Sequence, residues 1–480
     1  MSDVLDRVFD SAAKSTWQVK PLGDVCRTSS GGTPSRSRAD YFNGTIPWVK
    51  SGELTDGLVS EVSEFISEEA LAGSSAKLLP AGTLLIAMYG ATVGKLGVLA
   101  RGAATNQAVC AIFPPPELDP KFLFWYLRRQ RSHLIAQAVG GAQPNISQTI
   151  LRDLALPIPP IAEQREIVAE LEKQFSRLDE AVANLQRVKA NLKRYKASVL
   201  KAAVEGRLVE TEASIAHREG RSYESGEQLL QRILEERRSK WPGKGKYKEP
   251  LPAATAELPT LPEGWTWARL DCIAALKGGI TVDSKRVDPN AQAVPYLRVA
   301  NVQRGFIDLS EVKFINASAS DIADLRLENG DVLFNEGGDR DKLGRGWIWE
   351  SQLADCIHQN HVFRARMYLG AMSPKLVSWW GNTFGKDYFL RVGKQTTNLA
   401  SINLGKLSEF PVPVPPQAEQ LRMVLEIERL LSVVDEVETE VDTNLKRAQA
   451  LRQSILGTAF KVLGTGSTGS QAEVEVVSEE

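Results

Sequence analysis

Several features that define large protein classes are missing from this sequence of 480 residues. Its four cysteines lie far apart and form no CxxC pair, which predicts free thiols in a reducing compartment and argues against a disulfide framework. No apolar run reaches the length of a membrane span, and the charged N-terminus MSDVLDRVFD lacks the apolar stretch of a signal peptide. We therefore expect an intracellular, cytoplasmic protein that does not enter a membrane.

An excess of one charge is also missing. The 58 basic and 59 acidic residues give a formal net charge of −1, so the chain has no bulk basic character. This balance argues against a non-specific nucleic-acid binder, but it leaves room for local basic patches on a neutral chain.

The sequence contains no complete catalytic or metal-binding motif. GATVGK at residues 90–95 has three residues between its glycines where a P-loop needs four, and Leu96 stands where a magnesium ligand is required. Cys356, His358 and His361 could supply three metal ligands, but a strand carrying polar side chains is favoured because zinc sites usually show closer Cys/His pairings. We expect no catalytic residue, no metal site and no cofactor in this chain.

What the sequence does contain is a motif that occurs twice. Residues 156–171 read LPIPPIAEQREIVAEL, and residues 412–427 read VPVPPQAEQLRMVLEI. Each copy opens a proline-free, helix-favouring run of about 40 residues, which would span roughly 60 Å. The double proline can begin a helix, and the glutamate that follows lies in the first turn, where the helix dipole favours a negative charge.

The apolar residues of both runs recur at every seventh position. A repeat sustained over four heptads predicts a coiled-coil seam between two helices, although it allows either relative direction. The predicted seam residues are Leu171, Leu178, Leu185, Leu192 and Val199 in the first run and Ile427, Val434, Val441, Ala448 and Ile455 in the second.

The segments that precede the two runs share one plan. IPWVKSGEL from residue 46 matches VPYLRVANV from residue 294, and Lys95-Leu96-Gly97 is matched with Lys342-Leu343-Gly344. Short apolar runs between glycine, proline and asparagine predict strands, and longer periodic runs predict helices. The predicted fold class is α+β (mixed α/β): two similar globular domains, each followed by a long helix, with an internal pseudo-twofold duplication.

Composition suggests the domain boundaries. In the first domain we expect strands at residues 19–25, 46–49, 83–88 and 107–113 and a helix at residues 122–139. The first half of the predicted organisation is a domain at residues 1–160, which opens with a polar helix at residues 1–16, and a first long helix at 161–206. A Lys- and Pro-rich linker follows at 207–260, with a short helix near 226–240. The second half is a domain at 261–416, a second long helix at 417–462 and a disordered tail at 463–480.

Polar loops that contain glycine occur at matched places in both domains. Arg, Lys, Asn and Gln can read base edges, while Lys, Ser, Thr and backbone amides hold phosphates. Taken alone, such loops are ordinary solvated surface; a repeated frame with different loops suits two modules that read different DNA targets. The candidate DNA-contacting residues are Arg36, Arg38, Lys50, Ser51, Tyr89, Lys95, Gln143 and Asn145 in the first domain and Lys277, Lys285, Arg286, Arg298, Asn301, Arg304, Asn335, Arg340, Lys342, Arg345, Lys394, Gln395 and Asn398 in the second.

In these features the sequence resembles the specificity subunits of Type I restriction–modification enzymes. The resemblance covers nearly the whole chain. It rests on the twin PPxxEQ motifs, on Trp17 with Leu22-Gly23-Asp24-Val25, on LPEGW at residues 261–265 and on LLQRILEERRSKW in the linker.

The resemblance implies that each globular domain is a target-recognition domain that reads one half of a bipartite site in double-stranded DNA. It also implies that the two long helices pack antiparallel and set the spacer between the half-sites. Two methyltransferase subunits would bind around the helices, carry S-adenosylmethionine and methylate adenine at N6. Two motor–nuclease subunits that use ATP and magnesium can join them to cleave unmethylated DNA. The chain itself would be a non-catalytic subunit.

Two other functions remain open on the sequence. One is a coiled-coil adaptor whose duplicated domains bind proteins or peptides, which would show no sequence-dependent DNA binding. The other is a self-contained methyltransferase or nuclease. The second is opposed by the missing (N/D/S)PP(Y/F/W) tetrapeptide of amino-methyltransferases, since the Pro-Pro pairs here precede Ile161 and Gln417.

Overall fold

A computed structural model describes residues 17–138, 145–241, 245–282, 289–338, 342–368, 370–395 and 400–460. The helix predicted at residues 1–16 and the disordered tail predicted at residues 463–480 lie outside the described residues. The chain divides into two compact units, one formed by Met1–Gln186 with Asp442–Glu480 and the other by Arg187–Val441. Each unit therefore contains one globular domain and a part of both long helices.

The first unit is built around a five-stranded sheet. Its neighbouring strands are antiparallel except for the last pair, which is parallel. The central strand Leu84–Ala87 is buried at all four positions, as its uninterrupted apolar sequence predicts. In spatial order the strands are Arg27–Ser30, Val109–Phe113, Leu84–Ala87, Leu96–Leu99 and Gly57–Val59.

Two smaller sheets complete the first domain. Ile46–Val49 lies between Phe65–Ile66 and Ala104–Thr105, and Gln18–Pro21 pairs antiparallel with Ala155–Ile158. The helices of this domain are Leu22–Val25, Glu68–Ala72, Pro120–Arg129, Arg131–Ala136 and Gln148–Arg152, with 3₁₀ helices at Ala39–Phe42 and Ser51–Glu53.

Three elements of the first domain differ from the predictions. The strand predicted at residues 107–113 begins at Val109, because residues 106–109 form a turn. The strand predicted at residues 19–25 ends at Pro21, because the next four residues form a helical turn that buries Leu22. The helix predicted at residues 122–139 is observed as two helices and begins earlier, at Pro120. Its start is fixed by Asp119, whose carboxylate accepts hydrogen bonds from the first backbone amides of the helix.

The second unit repeats the plan of the first. Its main sheet is antiparallel throughout, with the strand order Ala274–Lys277, Val362–Met367, Val332–Asn335 and Gly346–Ile348. This order reproduces the first four strands of the five-stranded sheet. Gln292–Leu297 lies between Lys313–Ala317 and Ile357–His358, and Thr266–Arg269 pairs antiparallel with Pro411–Val414. The predicted duplication is confirmed strand by strand.

The linker region and the rest of the second unit are more structured than predicted. The described part of residues 207–260 contains two helices, Glu212–Glu219 and Gly226–Ser239. The second of these buries Leu229 and Ile233 in the core of the second domain, so it belongs to that domain and is not free linker. The remaining elements are the helices Leu270–Ile273, Ala319–Leu325, Pro374–Val392 and Leu404–Ser408 and a small sheet of Gly337–Gly338, Ala400–Ser401 and Lys394–Gln395.

The turn after the central strand of each domain corrects one predicted match. Gly94 and Gly344 both have a positive φ, 76° and 63°, which glycine adopts without strain. Their amides donate to Ala87 and Asn335, at 2.8 and 3.1 Å. Gly94 therefore corresponds to Gly344, and Lys95 to the next residue, Arg345. The predicted match of Lys95 with Lys342 is wrong because the second domain has a longer turn.

The two long helices span Ile161–Val204 and Gln417–Ala459. In the first unit, the early part of the first helix packs with the end of the second, and the guanidinium of Arg452 pairs with Asp179 and lies 5.3 Å from the ring centroid of Phe175. Among the described residues, no helix combines the length and the apolarity that crossing a bilayer requires.

In the second unit, Lys196 of the first helix lies 2.6 Å from Asp435 and 2.7 Å from Glu438 of the second helix. Further along the first helix, Ala203 shares a buried cluster with Met423, which comes earlier in the second helix. Positions later in the first helix therefore contact positions earlier in the second. The helices run antiparallel in this unit, which the heptad pattern alone left open.

Most of the predicted seam positions are buried. Leu178, Leu185 and Leu192 are half-buried. Some of the buried seam residues pack against a globular domain, because the helices bury apolar side chains against their domains as well as against each other. The buried seam residues are Leu171, Val199, Ile427, Val434, Val441, Ala448 and Ile455.

The glutamine of the PPxxEQ motif ties each long helix to the domain before it. Nε2 of Gln164 donates to the carbonyl of Pro159 at 2.7 Å, and its Oε1 accepts from the amide of Asp119 at 2.8 Å. Gln420 makes the equivalent two bonds in the second domain, at 3.0 and 2.9 Å. The partner in each domain is the residue that caps a major helix, so the motif couples two helix starts.

The glutamate of the motif receives a tryptophan from the start of the same domain. Nε1 of Trp17 donates to Oε1 of Glu163 at 3.2 Å, and Nε1 of Trp265 donates to Oε1 of Glu419 at 3.0 Å. Glu419 is fully buried, and burial raises the pKa of its carboxyl. Each bond joins the beginning of a domain to the helix that follows its end, and so closes the domain.

Candidate nucleic-acid interface

The predicted loops of the first domain converge on one tight turn, residues 106–109. Backbone hydrogen bonds attach three of the loops to this turn and to the residue before it. They run from Gly32 to Thr105 (2.9 Å), from Asn106 to Val49 (2.9 Å) and from Met88 to Ala108 (2.8 Å).

The fourth loop joins through the third. The amide of Ile146 donates to the carbonyl of Met88 at 2.7 Å, and Tyr89 forms an antiparallel bridge with Asn145. We call the assembly the first loop cluster. It consists of residues 29–38, 50–51, 89–95, 106–109 and 145–147.

The second domain contains the same assembly. Its central turn is residues 359–362, and the equivalent bonds run from Ile280 to His358 (2.8 Å), from Gln359 to Leu297 (2.9 Å), from Glu336 to His361 (2.9 Å) and from Ile402 to Glu336 (2.8 Å). We call this the second loop cluster. Its described part consists of residues 277–282, 298–304, 335–338, 342–345, 359–362 and 400–402.

Part of the predicted interface lies outside the described residues. Lys394 and Gln395 lie in a short strand. DNA contact by Lys394 and Gln395 stays a prediction, as it does for the residues outside the described ranges. The predicted contact residues outside the described ranges are Gln143, Lys285, Arg286, Arg340 and Asn398.

Three of the four basic residues of the first loop cluster, Arg36, Arg38 and Lys50, are held by carboxylates. Lys50 and Arg36 share Glu64, at 2.7 and 2.8 Å, and both lower the pKa of that carboxyl. Arg38 pairs with Asp40 on the exposed surface. Ion pairs in contact with water contribute little to stability, so Arg38, whose pair with Asp40 is exposed, can exchange its carboxylate for a phosphate at small cost.

The other predicted residues of this cluster vary in exposure. Asn145 is exposed, whereas Ser51, Tyr89 and Lys95 are half-buried. Burial raises the pKa of the Tyr89 hydroxyl. The backbone of Lys95 holds the turn, since its carbonyl accepts from Ala87 at 2.9 Å.

In the second loop cluster, two predicted cations are also paired. Nζ of Lys277 lies 2.7 Å from Asp324, and Nη2 of Arg298 lies 3.3 Å from Oε1 of Glu311. The side chain of Lys277 is 42% exposed and that of Arg298 only 21%. Lys277 is therefore the more accessible of the two to a phosphate.

Three further cations line the same cluster. Arg304 donates to the carbonyl of Asn382 at 2.6 Å, and Arg345 donates to the carbonyl of Val299 at 3.1 Å. Lys342 is half-buried in the turn between two strands. These bonds position the loops and leave part of each side chain in contact with solvent.

Two predicted contact residues are corrected by the structure. The side-chain amide of Asn301 donates to the carbonyls of Asp308 and Glu311, each at 2.9 Å, and that of Asn335 donates to Val302 at 2.9 Å. Asn301 is 3% exposed and Asn335 is fully buried. A side chain that is buried and bonded in this way supports the loop backbone and cannot reach a base edge.

The histidines considered as metal ligands have other roles. His358 is buried, its Nδ1 is 2.6 Å from the carbonyl of Val362, and burial lowers its pKa to about 4. His361 pairs with Glu336. Across the described ranges, no group of three or more His, Cys, Asp and Glu side chains is arranged to hold a metal ion.

The side chains of the two central turns were not among the predicted contact residues. Gln107 is exposed, and Asn106, Gln359 and Asn360 are half-buried. Amide side chains of this kind suit the recognition of base edges. A clue was present, because TNQ and HQN follow matched strands in the two copies.

Comparisons with known proteins agree with this architecture. The family model described as "Type I restriction modification DNA specificity domain" matches residues 14–193. The EcoKI specificity subunit of Escherichia coli (strain K12) is 22% identical over 458 residues, which cover 93% of this chain and 88% of that protein. The EcoR124I/EcoR124II specificity subunit of Escherichia coli is 30% identical over 160 residues, which cover 32% and 40%.

Two solved structures share the fold. A chain from a structure of the type I R-M system has a TM-score of 0.62 at 19% identity and covers 93% of this chain and 97% of its own. The HsdS subunit of Thermoanaerobacter tengcongensis has a TM-score of 0.54 at 18% identity, with coverage of 92% and 96%. The predicted resemblance is thus confirmed: over nearly its whole length this chain is similar to the specificity subunits of Type I restriction–modification enzymes, and its residues 14–193 match their DNA specificity domain.

Proposed function

We propose that this chain is the DNA sequence-recognition subunit of a Type I restriction–modification complex, and that each globular domain reads one half of a bipartite site. The observation that carries the proposal is the duplicated loop cluster. The two clusters have the same backbone bonds but present different polar side chains. Two domains that read different half-sites need the same backbone arrangement with different side chains on it.

The cations of the clusters supply the affinity in this proposal. Arg36, Arg38 and Lys277 have side chains that are 56, 55 and 42% exposed, and their carboxylate partners are 27, 58 and 58% exposed. Arg36 and Arg38 also lie over aromatic rings. Contacts of cations with phosphates position a protein on the duplex without reading its sequence. Discrimination between sequences then falls to the neutral polar side chains of the same clusters.

We further propose that the two long helices set the spacing of the half-sites. The first contains 44 residues, which corresponds to about 66 Å at 1.5 Å per residue. One turn of B-DNA is about 34–36 Å, so half-sites about one turn apart lie within that reach. The ion pairs from Lys196 to the opposite helix resist sliding of one helix along the other.

The chemistry on DNA belongs to partners in this proposal. Two methyltransferase subunits bring S-adenosylmethionine and methylate adenine N6, and two motor–nuclease subunits bring ATP and magnesium. Methylation requires that the adenine be flipped out of the duplex into a pocket. This chain supplies the position at which that happens, and the complex acts in the cytoplasm.

The test is to map methylated adenines in a host that expresses the chain with its methyltransferase subunit. We expect one bipartite motif with two different halves and a fixed spacer, which disappears when the chain is deleted. Replacing residues 17–158 with the same region of a relative should change one half of the motif and keep the other. A methylation pattern that does not depend on the chain would refute the proposal.

A gel-shift experiment separates this function from that of a protein-binding adaptor. The chain and its methyltransferase subunit are mixed with the mapped duplex and with duplexes of random sequence. We expect preference for the mapped site, whereas an adaptor would bind all duplexes equally or none.

A further inference from the structure

We infer that Gln107 in the first domain and Asn360 in the second are specificity residues, each of which reads an A·T base pair in its own half-site. The inference rests on the proposed function and deepens it. It names, within each loop cluster, one side chain that discriminates at a particular base pair.

Gln107 and Asn360 occupy equivalent positions. In the main sheets, Val109 pairs with Ala87 and Val362 pairs with Asn335, so Val109 and Val362 are equivalent. Gln107 and Asn360 each lie two residues before them. The same hydrogen bond closes both turns, from the amide of the last residue to the carbonyl of the first, at 3.1 Å in the first domain and 2.8 Å in the second. The frame is thus shared while the side chain differs.

A glycine loop holds each turn in place from behind. A Cβ atom on Gly31 would lie 2.2 Å from the carbonyl oxygen of Asn106, and one on Gly279 would lie 2.0 Å from that of His358. Contacts this short do not occur, so only glycine allows the loop backbone to lie so close. Close backing of this kind fixes the direction in which the turn presents its side chains.

The amides of Gln107 and Asn360 are available for a ligand. Within the described ranges, neither side-chain amide makes a hydrogen bond. Gln107 is exposed and Asn360 is half-buried. The contrast is with Asn301 and Asn335, whose amides are used by backbone carbonyls. A neutral amide has little to gain from a phosphate compared with the cations nearby, but it offers a donor and an acceptor side by side.

That donor and acceptor match adenine. Asn and Gln form paired hydrogen bonds with N6 and N7 of adenine in the major groove, and a good pair discriminates by about 1–3 kcal/mol against the wrong base. The turns also differ at the next position, which is Ala108 in the first domain and His361 in the second. The first domain thus presents the longer amide of Gln107 beside a small residue, and the second presents the shorter amide of Asn360 beside a large one. The two amides would therefore extend to different distances from the turn backbone.

The experiment uses the full chain with its methyltransferase subunit and two duplex libraries. Each library keeps one mapped half-site intact and randomises the other. For Gln107→Ala we expect loss of the adenine preference at one position of the first domain's half-site, with about 5- to 150-fold weaker binding of the original site. The half-site of the second domain should be read as before, and Asn360→Ala should give the mirror-image result.

Gln18→Ala serves as the matched control, because Gln18 is an exposed amide of the first domain outside the loop cluster. It should leave both half-sites unchanged, and thermal unfolding of Gln107→Ala should match that of the unaltered chain. Unchanged preference in both loop variants would overturn this inference while the bipartite site still stands. Equal weakening on all sequences would also overturn it, since that is the behaviour of a phosphate contact. Absence of any bipartite site in the unaltered complex would instead refute the proposed function.

Discussion

The indole of Trp265 donates to the buried carboxylate of Glu419 at 3.0 Å, which binds the first residues of the second domain to the start of the long helix that follows it. Trp17 and Glu163 repeat the bond at 3.2 Å in the first domain. The two pairs differ in burial, since Glu419 is fully buried and Glu163 is half-buried. A carboxylate that water cannot reach depends more strongly on its protein donors.

Replacing the two tryptophans should therefore have unequal effects. We expect Trp265→Phe to lower the free energy of unfolding by about 1–3 kcal/mol, because it removes a donor from a buried carboxylate. Trp17→Phe should cost about 0.5–1.5 kcal/mol, since water can replace the lost donor. Urea unfolding of both variants measures the difference, and equal losses would show that burial of the glutamate does not decide the outcome.

The ion pairs of Lys196 provide a test of helix direction. Lys196→Glu places a negative charge beside Asp435 and Glu438 and should destabilise the chain by about 0.5–1 kcal/mol, a small value because these side chains are partly exposed. Adding Asp435→Lys should recover most of the loss. The recovery is measured by thermal unfolding and should shrink at about 1 M salt. Parallel helices would give no recovery, since residue 435 would then lie far from residue 196.

Arg36 should act through phosphate contact. We expect Arg36→Gln to weaken binding of every duplex by a similar factor and to reduce the slope of log K against log salt by about one. Lys121→Gln is the control, because Lys121 carries the same charge but lies outside the loop cluster, paired with Glu172. A change in sequence preference without a change in slope would contradict this role.

His358 should make the stability of the chain depend on pH. Burial lowers its pKa from 6.5 to about 4, so the unfolded chain binds a proton between these values and the folded chain does not. This histidine does not reduce the free energy of unfolding well above pH 6.5. As the pH drops towards 4, the free energy of unfolding falls by up to roughly 1.4 kcal/mol per pH unit and by about 3 kcal/mol in total. Urea unfolding at several pH values measures this loss, and His358→Gln should reduce it. An unchanged slope in the variant would assign the dependence to other groups.

The sequence predicted those parts of the fold that produce a periodic pattern of apolar residues or an internal repeat. The two long helices, the repeated motif and the order of the matched strands could be read because each depends on neighbouring residues or on an internal copy. The helix Glu212–Glu219 was missed because its sequence is polar, and only tertiary packing buries Glu212 against Arg221 and Arg422, at 2.6 and 2.7 Å.

The candidate site was harder to predict for a physical reason. Its loops are distant in the sequence and are joined by backbone hydrogen bonds, which every residue type except proline can donate. Composition could not distinguish Asn301, which is buried and bonded, from Gln107, which is exposed. Both are polar residues in a loop, and their surroundings decide which one supports the fold and which one faces solvent.

Insertions in the long helices test whether they set the spacing. Four residues inserted after Ala190 move the rest of the first helix by about 6 Å and 40° and so separate Lys196 from Asp435. We expect this single insertion to abolish binding of the original site. A second insertion of four residues after Val441 restores the register, because Val441 lies as far beyond Asp435 as Ala190 lies before Lys196.

The doubly extended chain should then prefer a spacer that is longer by about two base pairs, given 3.4 Å per base pair. Binding to a series of duplexes whose spacers differ by single base pairs measures the shift. Four residues inserted after Ala254, in the extended part of the linker, should leave the preferred spacer unchanged. If the doubly extended chain still prefers the original spacer, the helices do not determine the separation of the half-sites, and the two domains must be positioned on DNA by the partner subunits.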